Sequence, residues 1–398
     1  MKNKLNRILM LAMAVSLVLI STAGCSKKDS SVKAEADVIK IGVIAELTGE
    51  IPAVGASCKN AAEMAVKTLN DSGGLEVGGK KMKIKIQIED NAGRAEQAAS
   101  SAQKLITQEK VVAIIGPNSS GGAIPTSEIT ETAKIPMITP WSTNPKTTID
   151  TRLGKPKRYA FRACYLDSFQ GQVLALFAKN TLHAKKAAIL FDSSSEVLKG
   201  QAEVFKNTFE KNGGSVSAYE TYTQGDRNFS AQLTNIKNST PDVIFLPSYY
   251  SDVPLEVQQA HRLGITTPFL GSDAWASSEL LKLCGKDCDG YYFSSHYSAS
   301  SKSPDTIKFV KDYEALYKNT PDDVAALTFD AFGIVFEAIK AAGSAESEAI
   351  RNAISKIKGY HGVTGNISFT GETGDPVKGV VILEIKNGAF NWYTDVNP

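Results

Sequence analysis

The chain is poor in the residues that usually carry catalysis and metal binding. It has 4 histidines in 398 residues, and His183, His261, His296 and His361 are scattered without the close spacing of a metal site. No G-x-G-x-x-G follows an apolar run, which argues against a nicotinamide cofactor. No G-x-S-x-G elbow marks a hydrolase nucleophile. Charge is balanced, 44 Lys and Arg against 42 Asp and Glu, with no basic block, so nucleic acid is not an expected partner. No repeat of 20–50 residues is visible, and no apolar run after residue 25 is long enough to cross a bilayer. These gaps point away from an enzyme, and neither cofactor nor metal is expected.

Five cysteines are present. Cys284 and Cys288 stand four apart in a turn-like stretch, where a small-loop disulfide and two free thiols are both open readings. Cys58 and Cys164 read as small buried residues. The fifth, Cys25, ends a distinctive start. Lys2, Lys4 and Arg7 precede an apolar stretch from Ile8 to Ile20, and small residues follow. That order is a secretory signal peptide, too short for a spanning helix of about 20 residues. Cys25 directly after Ala23-Gly24 resembles the lipobox of bacterial lipoproteins, with Thr22 where such proteins usually carry Leu. The resemblance implies lipid attachment at Cys25 on the membrane's outer face; ordinary secretion with a spare Cys25 is the other reading, and either places the protein outside the cytoplasmic membrane. Residues 26–37, rich in Ser, Lys, Asp and Ala, read as a flexible tether.

From Val38 short apolar runs alternate with helical patterns. Val38–Ala45 reads as a strand. Met82–Glu89 alternates Met-Lys-Ile-Lys-Ile-Gln-Ile-Glu, a half-buried strand. Val111–Gly116 and Ile135–Thr139 are short and apolar, with helices at Asn60–Asn70 and Arg94–Glu109. A second run of the same kind begins near Tyr159. Its strands are Ala187–Phe191, Ser215–Tyr222, Asp242–Pro247 and Pro268–Leu270, separated by helices. Lys378–Lys386 and Ala389–Thr394, broken by Asn387-Gly388, read as an antiparallel hairpin. The fold class is therefore α/β, with two doubly wound parallel-sheet lobes. In open α/β sheets ligands sit beyond the carboxyl ends of the strands, so the loops there hold the candidate site.

Three such loops stand out in the first lobe. Glu46-Leu47-Thr48-Gly49 follows the first strand. In Gly116–Gly122, Ser119 and Ser120 stand among glycines just before a helix, where free backbone N–H groups attract an anion. No Lys follows, so a carboxylate suits the loop better than a phosphate. In the third, Ser142 and Thr143 offer donors beside Trp141. The second lobe offers Tyr249 after one strand and Asp273 and Trp275 after the next. An acid flanked by aromatics suits an ammonium. Tyr165 and Asp167 lie where the chain enters this lobe, and Asp167 also reads as a helix cap.

The ordered motifs Ile-Gly-Val-Ile-Ala-Glu-Leu-Thr-Gly (41–49), Ile-Ile-Gly-Pro (114–117), Pro-Met-Ile-Thr-Pro (136–140), Asp-Ser-Phe-Gln-Gly (167–171) and Phe-Leu-Gly-Ser-Asp (269–273) resemble the periplasmic binding proteins for branched-chain amino acids. These are the type I substrate-binding components of ABC importers. The resemblance implies that two lobes close on an amino acid, branched-chain or otherwise apolar or aromatic; Trp141, Tyr165, Tyr249 and Trp275 would suit a bulky apolar or aromatic side chain and would equally fill space around a small one. It places the carboxylate on Ser120, Thr143 and the backbone at Trp141, and the ammonium on Asp273 beneath Tyr249. It implies permease and ATPase partners, a monomer, and three crossings between lobes. The first lobe would take 38–163 and 296–365, and the second 164–295 and 366–398. The chain departs from the family at four positions. Val54 replaces a pocket tyrosine, no tyrosine stands near Glu196-Val197, Trp141 fills a position usually small, and the shorter Asp273 stands where the ligand acid is often Glu. Two other readings share the fold: a ligand-sensing receptor module, and a binder of an amide, urea or aromatic acid.

Overall fold

The computed structural model describes residues 38–396; the signal, lipobox and tether readings lie outside them. Two sheets organise the described chain. The first has six strands in the spatial order Leu75–Val77, Lys80–Asp90, Val38–Ala45, Ala113–Ile115, Met137–Thr139 and Ala160–Arg162. All are parallel except the edge strand Leu75–Val77. Helices cover both faces, so its central strands are apolar on both sides. Ile44, Ile114 and Met137 pack toward the helices Ala95–Lys104 and Ser120–Ala133. Val43, Ala113 and Ile115 face the opposite core.

The second sheet runs Ser215–Tyr222, Lys186–Asp192, Val243–Leu246, Phe269–Gly271, Tyr292–Ser295, Val380–Lys386 and Ala389–Val396. Five strands are parallel, and the C-terminal hairpin closes the sheet antiparallel. Asn387 and Gly388 both have positive φ, 55° and 71°, as a two-residue hairpin turn requires. Phe245 on the central strand stacks on Phe205 of the covering helix Glu196–Lys211, 4.2 Å between ring centres.

Several expectations shift. The run that begins near Tyr159 first supplies the last strand of the first sheet, since Ala160–Arg162 pairs with Met137–Thr139, inside the 38–163 that the resemblance gives the first lobe. Helices Pro304–Tyr317, Asp323–Ala342 and Ser347–Ile354 return to the first sheet's side. The long middle one starts cleanly because the Asp322 carboxylate accepts from the Ala325 amide at 2.9 Å, and Gly343 ends it with a positive φ of 60°. The boundary expected at 365/366 falls inside a small antiparallel sheet of Tyr360–Gly362, Gly365–Phe369 and Pro376–Val377. Its tail stays on the first sheet, where the Arg162 amide donates to the Gly374 carbonyl at 3.0 Å. The last crossing therefore lies between Val377 and Val380. Cys284 and Cys288 are joined as a disulfide, with their Cα atoms 5.8 Å apart. Among the described residues no helix is long and apolar enough to cross a membrane.

The second core depends on the Phe245–Phe205 stack. Phe245→Ala is expected to lower unfolding free energy by about 3–5 kcal/mol, read from the shift of a denaturant midpoint.

Candidate functional site

The second and third first-lobe loops are each fixed by a buried charge behind them. Glu46, at the end of the first strand, is fully buried. Its Oε1 accepts from the amides of Asn118 and Ser119, both at 3.1 Å, and its Oε2 accepts from Asn118 Nδ2 at 2.7 Å. One carboxylate thus holds the loop that starts helix Ser120–Ala133, through charge-assisted bonds. A Cβ added at Gly121, at that helix start, would meet nothing within 4 Å, so the helix start is open on that side. Ser120 Oγ sits 2.9 Å from Ser142 Oγ, which in turn lies 2.7 Å from Thr147 Oγ1.

Arg162 performs the same service for the third loop. It is fully buried and pairs with Asp375 at 2.7 Å. Its guanidinium also donates to the carbonyls of Ser142 and Asn144 and to Thr148 Oγ1. The five-donor fork spans the bend that no regular ladder could satisfy. Trp141 leaves this loop toward the cleft, and its indole N–H donates to Asp323 Oδ2 at 3.2 Å.

On the second lobe, Asp273 opens a short turn after strand Phe269–Gly271, and the Ser272 side chain caps that turn. Its carboxylate is almost completely buried and held on three sides. Oδ1 accepts from Gln170 Nε2 at 3.1 Å and Gln201 Nε2 at 3.0 Å. Oδ2 accepts from His296 Nε2 at 3.0 Å. The Asp273 amide donates back to Gln170 Oε1, which also takes the Ser294 hydroxyl at 2.7 Å. Burial holds the His296 pKa below its ordinary value, against the opposing pull of Asp273, which favours a neutral ring with its proton on Nε2. The ring stacks on Tyr165, 3.7 Å between centres. An ionised carboxylate offers about four lone-pair sites, so three fixed donors leave about one for an incoming cation.

The two half-sites meet in one pocket of about 210 Å3 including its mouth, lined by Ser119, Ser120, Trp141, Val197, Gln201, Tyr249, Asp273 and Ala274. The lobes touch around it. Lys146 Nζ pairs with Glu196 at 2.6 Å, Asn144 Nδ2 donates to the Glu196 carbonyl, and the Ala53 amide donates to the Tyr250 hydroxyl at 3.2 Å. Ser120 and Asp273 therefore face one pocket from opposite lobes.

Of the residues singled out in the sequence, Ser120, Trp141, Tyr249 and Asp273 line this pocket. Ser142, Thr143, Tyr165 and Asp167 lie behind it. The Thr143 hydroxyl, expected to hold a carboxylate, instead donates to Asp167 Oδ1 at 2.6 Å, so Asp167 bonds across the lobes and does not cap its own helix. Trp275 is a correction. It is fully buried, lies under Gly271 and donates its indole N–H to the Leu246 carbonyl at 3.0 Å. The tight turn at Asp273 sends the next large side chain back beneath the sheet. Sequence reasoning missed Gln170, Gln201 and His296. Gln170 lay inside a quoted motif, but no local signal pointed to Gln201 or His296.

Burial raises the Asp167 pKa from 3.8 to about 7, with nearby Asp273 adding to the effect and the Thr143 bond opposing it. The folded state thus takes up a proton that the unfolded chain has already lost. The stabilisation this brings is complete below about pH 4 and disappears as pH rises through about 7. Glu50 and Asp322, raised to about 7 and about 6, titrate in the same window. Asp167→Asn keeps an acceptor for Thr143 and removes only its own share. Thermal unfolding at pH 5, 6, 7 and 8 is expected to show a shallower decline of Tm in the variant than in the wild type.

A family model described as periplasmic binding protein matches residues 38–389. The chain is 33% identical over 342 residues to a Leu/Ile/Val-binding protein, BraC3, of Rhizobium johnstonii, covering 85% of this chain and 88% of that protein. A leucine-binding protein, LivK, from Thermotoga maritima superposes with a TM-score of 0.83 at 32% identity, covering 90% of this chain and 99% of the other. The branched-chain amino acid transporter substrate-binding protein LivJ from Streptococcus pneumoniae, in complex with isoleucine, gives 0.83 at 31%, covering 91% of this chain and all of the other. With the fold, the interlobe pocket and the matched length in agreement, the chain belongs to the periplasmic binding protein family.

Proposed function

We propose that the chain is the extracytoplasmic solute-binding component of an ABC importer and carries a neutral, apolar amino acid. The observation that supports this most is a single pocket with opposite chemistry at its two ends. Ser120 and the first-turn N–H groups of helix Ser120–Ala133 suit a carboxylate on the first lobe. Asp273, with about one lone pair unfilled, suits an ammonium on the second. No lysine or arginine lines the pocket, so an anion without an ammonium leaves Asp273 uncompensated. That disfavours an aromatic acid or an uncharged amide.

Ligand contacts made by both lobes exist only when the lobes are together, so the ligand favours the closed form by those contacts. Closure excludes water and strengthens each charged bond. A permease with its ATPase would read that closed form. The protein works as a monomer, anchored through lipid at Cys25 on the outer face of the membrane.

Titration calorimetry with alanine, threonine, valine, leucine and isoleucine tests the reading. At least one is expected to bind the wild type, and Asp273→Ala is expected to weaken it by about 2–5 kcal/mol, because an ammonium is left buried without its partner. Weakening of less than about tenfold would remove Asp273 from the ammonium site.

A further inference from the structure

We propose that Trp141 limits the size of the side chain the site accepts, favouring small amino acids over leucine, isoleucine and phenylalanine. The inference rests on the amino-acid reading and narrows it.

The pocket's walls between its charged ends are Trp141, Val197, Tyr249 and Ala274. The indole of Trp141 and the ring of Tyr249 lie 6.4 Å apart, centre to centre, tilted by 37°. That spacing is the direct-contact range of an aromatic pair, about 4.5–7 Å, so no third ring fits between them. Trp141 comes from the first lobe and Tyr249 from the second, so this contact forms as the cleft shuts. A bulky ligand side chain would have to hold the two rings, and with them the lobes, apart.

Trp141 is also unable to give way cheaply. Its indole N–H is bound to Asp323 Oδ2, on the first turn of helix Asp323–Ala342, and it is only 6% exposed. Swinging aside would leave a buried donor without a partner. The Asp323 carboxylate would lose its one side-chain partner too, since its Oδ1 already has none. Across the pocket Val197 and Ala274 add little volume of their own. Once a pocket is filled, each further methylene changes affinity by about tenfold or more.

Calorimetry on the purified chain with glycine, alanine, serine, threonine, valine, leucine, isoleucine and phenylalanine provides the test. The tightest binding is expected among alanine, serine, threonine and valine. Leucine and isoleucine are expected to be at least about tenfold weaker, with no measurable binding of phenylalanine. Trp141→Ala is expected to reverse the order, with leucine or phenylalanine gaining at least about tenfold over wild type while alanine weakens. If Trp141→Ala does not fold, as judged by its thermal transition, Trp141→Leu opens the same space and is expected to move the preference toward leucine. Leucine or phenylalanine binding the wild type as tightly as alanine would overturn the size limit. A folded Trp141 variant that weakens every ligand equally would also overturn it. If no amino acid in the series binds the wild type, the amino-acid reading itself fails, an outcome distinct from a reordered series.

Discussion

A carboxylate buried between two sheets has to be compensated, and Asp273 is compensated by neutral donors alone. Gln170, Gln201 and a His296 held toward its neutral form supply three hydrogen bonds and no full positive charge. The carboxylate is therefore fixed in place while its charge remains available. Water can balance it in an open cleft, but in a shut one that role falls to a cation. On the proposed reading, charge recognition is tied to domain closure, because a ligand that brings its own positive charge balances the Asp273 carboxylate where the lobes meet.

The opposite end of the cleft solves the complementary problem. The proposed carboxylate needs donors that do not move, and the helix start and serine offered to it are held by buried ions placed behind them. Glu46 fixes the loop before helix Ser120–Ala133, and Arg162 fixes the loop carrying Trp141 and Ser142. Neither ion lines the pocket. Both act by removing freedom from the loops that do, so that little ordering remains to oppose binding. The hydroxyl chain Ser120–Ser142–Thr147 joins these two supported loops into one surface.

Aromatic side chains then decide shape. Trp141 and Tyr249 close on each other from opposite lobes, so the apolar compartment is what their contact leaves free. Val197 stands near where the family resemblance leads one to expect a tyrosine, and it gives the compartment a smaller wall on that side. The Trp141–Asp323 bond links this wall to a helix that returns from the far end of the sequence. Wall position is thus tied to the packing of the whole first lobe and does not rest on a flexible loop.

The sequence by itself determined the alternation of strands and helices, because burial on two faces demands continuous apolar runs and the turns between them demand glycine, serine and asparagine. It also located Ser120, Trp141, Tyr249 and Asp273, since each directly follows a strand that such patterning marks. Only the tertiary structure decided the rest. Ala160–Arg162 joined the first sheet by pairing with a distant strand, a choice its own three residues do not encode. The partners of Asp273 lie 103, 72 and 23 residues away along the chain, so no spacing rule connects them. Trp275 went to the core and Thr143 to Asp167, although both follow strand ends, because the direction of a side chain after a tight turn is set by what packs around it. Local patterning specifies which segments end at the cleft. Which atoms face into it is a property of long-range contacts, and those exist only once both sheets are assembled.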